Sequence, residues 1–158
     1  PNDFTRALTW LSGAVWGANW NYVWALLPWL LILIPIAIYK SKVLDILLLG
    51  DSTATGVGIN VARERKILLI IAVTLAGVCV AVGGGITFLG LLAPHITRQL
   101  VGPKHSKCLP LTAALGSFIL LAADTLGRVI MAPSELPVGI VVSILGAPYF
   151  IYLLIKSI

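Results

Sequence analysis

The sequence predicts an all-α fold, a polytopic membrane helix bundle with five transmembrane helices. Three observations predict it. The 158 residues are 59% hydrophobic and only 11% charged, with a mean hydropathy of +1.02, whereas soluble domains carry about 25% charged residues. Apolar segments recur at the length a helix needs to cross a bilayer, about 20 residues. Lys and Arg cluster in the connections that an odd number of crossings would leave on one side. Disorder is excluded by the same composition, because so much apolar surface cannot stay solvated.

The first crossing is "YVWALLPWLLILIPIAIY", Tyr22 to Tyr39, edged by Trp20, Tyr22 and Tyr39 at the interfacial positions that aromatic rings favour. Pro28 and Pro35 are expected to kink it, which a membrane helix tolerates when neighbours satisfy the freed carbonyls. Ahead of it, "PNDFTRALTW" has no basic segment leading into an apolar one and is not a signal peptide. The half-polar start reads as part of a longer chain.

The connection "KSKVLDILLLGDSTATGVGINVARERK" runs from Lys40 to Lys66. "VLDILLLG" is a short amphipathic stretch stopped by Gly50. Asp51, Ser52 or Thr53 can then cap a second short helix by accepting hydrogen bonds from its first N–H groups. Gly56 and Gly58 end or bend that helix. Residues 43–62 therefore read as helix, glycine bend, helix, either a docking element for another protein or simply an ordered loop. A phosphate site is not supported: G-x-x-x-x-G-K-[ST], a preceding strand and a βαβ pattern are all missing.

From Ile67 to Thr97 no residue is formally charged apart from His95. One helix of these 31 residues would extend about 46 Å, more than a hydrocarbon core of about 30 Å requires. Arg63, Arg65 and Lys66 precede the run; Arg98, Lys104 and Lys107 follow it. If both clusters are cytoplasmic, the chain crosses an even number of times between them. The run therefore splits into two short helices, Ile67–Val82 and Ile86–Val101, reversing at Gly83, Gly84 and Gly85 on the outer face. The fourth crossing is Leu109–Val129, and the fifth is Leu136–Ile155, closed by Lys156. This topology puts nine Lys and Arg inside (Lys40, Lys42, Arg63, Arg65, Lys66, Arg98, Lys104, Lys107, Lys156) against Arg6 and Arg128 outside. It makes the C-terminus cytoplasmic. Gly77, Ala81, Gly90, Ala113, Ala114, Gly116, Gly139 and Gly146 suit close helix packing.

Candidate functional groups are few. Asp124 and Arg128 are spaced i, i+4 and can pair on one helix face, with Glu135 beyond Pro133. Either the pair closes the helix, or Arg128 offers its guanidinium to a carboxylate on an external partner. His95 and His105 lack an acidic or nucleophilic partner at a recurring spacing, and His95 reads as a packing or capping residue. Cys79 and Cys108 lack metal-site spacing and read as packing residues. No catalytic, cofactor or metal constellation is recognisable. No basic patch interleaved with aromatics points to nucleic acid.

Several motifs in one order carry a resemblance: G-x-I-x-F-x-G-L-x-x-P-H-I-x-R from Gly84, A-D-x-x-x-R from Ala123, E-L-P-V-G from Glu135 and L-G-A-P-x-F from Leu145. With "WLSGAVWGANW" and "LLLGDSTATGVGINV" upstream, the whole chain resembles the C-terminal half of the FecCD-type permeases, importers of iron–siderophores, cobalamin and haem. The resemblance implies a single permease domain over residues 1–158, half of a ten-helix subunit in the bacterial cytoplasmic membrane. It implies a second permease subunit, two copies of an ATP-binding subunit and an extracytoplasmic substrate-binding protein. Residues 43–62 become coupling helices, with Leu49, Gly50, Asp51, Thr55 and Gly56 at the ATPase interface. Arg128 becomes the arginine that meets an acidic residue of the binding protein. The implied function is ATP-driven import of ferric siderophores by alternating access, with no enzyme activity in this subunit. Cobalamin or haem import, or a passive structural membrane subunit, are the alternatives. The family's first five crossings are absent, so the isolated chain is not expected to transport.

Overall fold

The computed structural model of the chain describes residues 2–13, 15, 18–130 and 136–157. These residues form helices α1 (Asn2–Leu11), α2 (Trp20–Tyr39), α3 (Ser41–Leu47), α4 (Asp51–Gly56), α5 (Val61–Gly83), α6 (Leu89–Val101), α7 (His105–Ile130) and α8 (Val138–Ser157), with no strand among them. A helical bundle satisfies the backbone polar groups within lipid, and the continuous apolar runs suit helices rather than the alternating pattern of a membrane barrel.

Helix α2 keeps Pro28 and Pro35 in its interior and buries none of its residues within the chain. It passes almost directly into α3: the Lys40 N–H donates to the Ile36 carbonyl at 2.9 Å, and Ser41 Oγ donates to the Ile38 carbonyl at 2.6 Å. Gly50, at φ +103°, precedes α4. Here the expected side-chain cap is corrected. Gly50 itself occupies the cap position of α4 and, being glycine, has no side chain to cap it; Asp51, Ser52 and Thr53 lie inside the helix, where the Asp51 carboxylate is engaged by Arg65 Nη2 at 3.0 Å.

Helix α5 begins six residues before the expected crossing. The Asn60 side chain accepts from the Arg63 N–H at 3.1 Å, satisfying one of the first-turn donors. Arg63, Arg65 and Lys66 therefore stand on helix rather than loop. At the far end the Gly84 N–H donates to the Val80 carbonyl at 2.9 Å, and Gly84 takes φ +71°, ψ −163°, which stops the helix.

Among the described residues four helices, α2, α5, α7 and α8, are long and apolar enough to cross a membrane by length and composition. The third of the five expected crossings differs. Residues 84–88 are non-helical, so α6 has only 13 residues and extends about 20 Å, short of a ~30 Å core. The five expected spans thus comprise four full-length helices and one short one. α6 lies against α7 and α8 over a core of Leu92, Ala123, Val138, Val141 and Val142.

Side-chain contacts define two ends. Lys40 meets Glu64, Asp45 meets His105, and Lys156 borders the same hollow as His95 and Gln99. Those contacts gather nine Lys and Arg, all of those from Lys40 to Lys156 except Arg128, at one basic end. At the other end α1, unanticipated from its half-polar sequence, delivers Trp10–Gly13 between the loop after α5 and the start of α8. The Gly139 N–H donates to the Gly13 carbonyl at 3.0 Å. A Cβ on Gly84 would collide with the Trp10 carbonyl oxygen, and one on Gly139 with that of Ser12. Three segments distant in sequence thus touch backbone to backbone, which only glycine permits.

Candidate functional site

The elbow made by α3, Gly50 and α4 protrudes at the basic end. The Gly50 φ of +103° disfavours any residue with a Cβ, although nothing lies within 4 Å of where that atom would be. Glycine is needed for the backbone angle, not for space. Thr53 Oγ1 donates to the Leu49 carbonyl at 3.3 Å and Thr55 Oγ1 to the Asp51 carbonyl at 2.7 Å, both within the elbow. Ala54 is fully buried and anchors α4, while Leu48, Leu49 and Val57 are 56%, 68% and 67% exposed. Large apolar side chains outside the long spans mark a surface suited to burial by a partner.

Of the residues singled out from sequence, Leu49, Asp51, Thr55 and Gly56 are all exposed on this elbow, with Gly50 partly exposed at its bend. The Asp51–Arg65 pair joins α4 to α5, but with both side chains about 60% exposed it contributes little, about 0–1 kcal/mol.

Two stronger ties were not legible in the sequence. Lys40 Nζ donates to both carboxylate oxygens of Glu64 at 2.8 and 2.6 Å, with side chains 21% and 19% exposed. It closes the last turn of α2 onto the first turn of α5, with charges that complement both helix dipoles. Asp45 Oδ1, on α3, accepts from the His105 backbone N–H at 2.5 Å and lies 3.3 Å from its Nδ1; Oδ2 accepts from the Ser106 N–H at 3.4 Å. Partial desolvation opposes ionisation of Asp45, yet the hydrogen bonds from His105 and Ser106 outweigh it and hold the carboxyl below its ordinary value. His105 does have an acidic partner, then, 60 residues away along the chain.

At the glycine end Arg128 Nε donates to Asp124 Oδ2 at 2.9 Å across one helical turn. The arginine side chain is 53% exposed and the aspartate 26%, so the expected pair forms while the arginine keeps a solvent face. Glu135 lies outside the described residues. Gly83 ends α5, Gly84 carries the helix-stopping angle, and a Cβ on Gly85 would press on the Leu11 carbonyl oxygen at 3.0 Å.

His95 sits on α6 with its ring edge-on to Tyr149 of α8, centroids 6.1 Å apart, and its Nε2 is 3.0 Å from Gln99 Nε2. Cys108 is buried; Cys79 is exposed on α5, not packed as expected. Among the described residues no group of three His, Cys, Asp or Glu side chains converges as a metal site would require.

Four long apolar helices, a short fifth packed among them and a basic end make this a multi-pass membrane protein. The chain belongs to the FecCD transport family, whose model matches residues 1–156. It is 58% identical over 99% of its length to the iron(3+)-hydroxamate import system permease protein FhuG of Bacillus subtilis, covering 47% of that protein. It is 55% identical over 98% of its length to the Fe(3+)-citrate import system permease protein YfmE of the same organism, covering 46%. The Fe(3+) dicitrate transport system permease protein FecD of Escherichia coli is 40% identical over 99% of the chain and 49% of its own length. A solved metal-chelate type ABC transporter in an inward-facing conformation superposes with a TM-score of 0.88 and 30% identity, over 94% of this chain and 48% of that one. The chain spans about half the length of the curated relatives it matches.

Proposed function

We propose that this chain is the C-terminal half of the transmembrane permease subunit of an ATP-driven importer of ferric siderophores. The observation that carries the reading is the glycine-hinged elbow at the basic end, with Leu48, Leu49 and Val57 exposed. An ATP-binding subunit, in two copies, would cover Leu49, Gly50, Asp51, Thr55 and Gly56 and push the elbow as it closes on ATP. By the positive-inside rule the basic end is cytoplasmic, which puts residues 43–62 and the C-terminus inside and the reversal at Gly83–Gly85 outside. Arg128 then faces the extracytoplasmic side and takes a carboxylate of the substrate-binding protein. A second permease subunit completes the pathway. The substrate class rests on the relatives named for iron(3+)-hydroxamate and Fe(3+)-citrate import.

The test is the full-length permease reconstituted in liposomes with its ATP-binding and substrate-binding partners. ATP-dependent uptake of a ferric hydroxamate or ferric citrate, and not of haem or cobalamin, is expected. Uptake of only haem or cobalamin would overturn the substrate class, and uptake without ATP would point to a passive subunit. Arg128→Glu is expected to weaken docking of the binding protein at least tenfold, since reversing an interfacial charge turns attraction into repulsion, while ATPase assembly stays intact. For orientation, cysteines at the exposed positions Thr87 and Lys104 serve better than one at Gly84, where a Cβ has no room. Labelling of both from one side would overturn the topology.

A further inference from the structure

We infer that Asp45 is the positioning residue through which the elbow moves α7, so that one continuous helix links the ATPase surface to the Arg128 surface. The inference rests on the permease reading above and adds to it the route that the motion takes. α4 is joined to α5 by a short covalent connection, but α3 and α7 are separated by the whole of α4, α5 and α6. Among the described residues, the hydrogen bonds that tie α3 to α7 end on the Asp45 carboxylate. That carboxylate takes the N–H groups of His105 and Ser106, the first two residues of α7, which have no acceptor within their own helix. A residue of one element thus caps the helix of another.

The geometry makes the joint directional. α7 is one continuous helix of 26 residues that keeps Pro110 in its second turn; it is about 39 Å long, with Asp124 and Arg128 in its last two turns. Ala123 and Gly127 are buried against α8 at that far end, so a displacement entering at His105 emerges beside Arg128. An apolar contact between α3 and α7 could slide under load. A charge-assisted hydrogen bond of 2.5 Å between a side chain and a helix backbone fixes both distance and direction.

The experiment uses the full-length permease with both partners in liposomes, reading siderophore transported per ATP hydrolysed and the stimulation of ATPase activity by loaded binding protein. Asp45→Ala is expected to lower transport per ATP at least tenfold, with binding of the ATP-binding subunit and basal hydrolysis within twofold of wild type. Asp45→Asn, which keeps one carbonyl oxygen for the His105 N–H, is expected to recover most of the loss. Because Asp45→Ala also removes a helix cap, His105→Pro provides a variant that keeps the fold. Proline is favoured at the first position of a helix, and there it deletes only the N–H donor and the imidazole. It is expected to lower transport per ATP threefold or more in a complex that assembles normally. Transport per ATP within twofold of wild type in His105→Pro, or in an assembled Asp45→Ala complex, overturns the inference. A cysteine at Leu49 that cross-links to the ATP-binding subunit in every variant keeps the two readings apart. No cross-link in wild type would defeat the permease reading itself, whereas a cross-link with unchanged coupling defeats only the role of Asp45.

Discussion

Replacing Gly84 by alanine tests the glycine contact between α1, the α5–α6 connection and α8. Gly84 holds φ +71°, ψ −163°, a region that costs an L-residue about 1–3 kcal/mol. Its added Cβ would also run into the Trp10 carbonyl oxygen, with the Gly13 Cα only 3.2 Å away. Both neighbours are backbone, so neither can rotate aside, and forcing them apart costs a further ~1–3 kcal/mol. Together Gly84→Ala should destabilise by about 2–6 kcal/mol. Gly139→Ala separates the two causes. Gly139 is helical, so the angle is allowed, but its Cβ meets the Ser12 carbonyl and threatens the 3.0 Å bond from its N–H to Gly13; about 1–4 kcal/mol is expected. Gly77, with nothing within 4 Å of a would-be Cβ, is the control, and alanine there should gain up to about 1 kcal/mol of helix propensity. Equilibrium unfolding of the full-length permease in mixed detergent micelles measures all three, and Trp10 stands in the contact as a fluorescence reporter. A Gly84→Ala protein within about 0.5 kcal/mol of wild type would refute the reasoning. So would a Gly77→Ala protein as damaged as Gly139→Ala.

Two further predictions concern the basic end. Lys40→Ala strands the Glu64 carboxylate, four-fifths covered, and should cost about 1–3 kcal/mol; adding Glu64→Ala should restore much of it, and a double-mutant cycle with no measurable coupling would refute the tie. The Asp45 carboxyl is held below its ordinary value of 3.8, so its folded form binds protons less readily than its unfolded form. Its contribution to stability is therefore full above that value and is lost as pH falls through the lower folded value. The stability difference between wild type and Asp45→Asn should shrink on acidification below pH 3.8; one that grows would contradict the assignment.

How much was legible from sequence follows from how local each cause is. Whether a segment can cross a bilayer depends on its own length and hydropathy, so Trp20–Tyr39 and Val138–Ser157 were found within two residues of their observed bounds. The Asp124–Arg128 pair was legible for the same reason, because one helical turn brings i and i+4 together whatever surrounds them. The expected cap of α4 fails because the helix starts at Asp51 itself, one residue earlier than a capping Asp51 would require, leaving Gly50 at the cap position. The cap at Asn60 is not marked by hydropathy, because the helix it caps carries Arg63, Glu64, Arg65 and Lys66 in its opening turns, ahead of the apolar run. No local signal pairs Asp45 with His105 or Lys40 with Glu64: each needs two helices to return to the same end, which side-chain spacing alone does not encode.

The sequence by itself determined the class of this protein, its long apolar helices, the gathering of positive charge on one side of the topology and the break at the triple glycine. These depend on transfer free energy and backbone permissiveness, properties a segment carries with it. Only the tertiary structure decided why Gly84, Gly85 and Gly139 are glycines: three backbones, from residues 10–13, 84–85 and 139, pass too close for a Cβ. It alone moved the start of the short third crossing from Ile86 to Leu89 and joined the elbow to α7 through Asp45. Such contacts arise between segments scores of residues apart, where packing rather than local preference selects the partner.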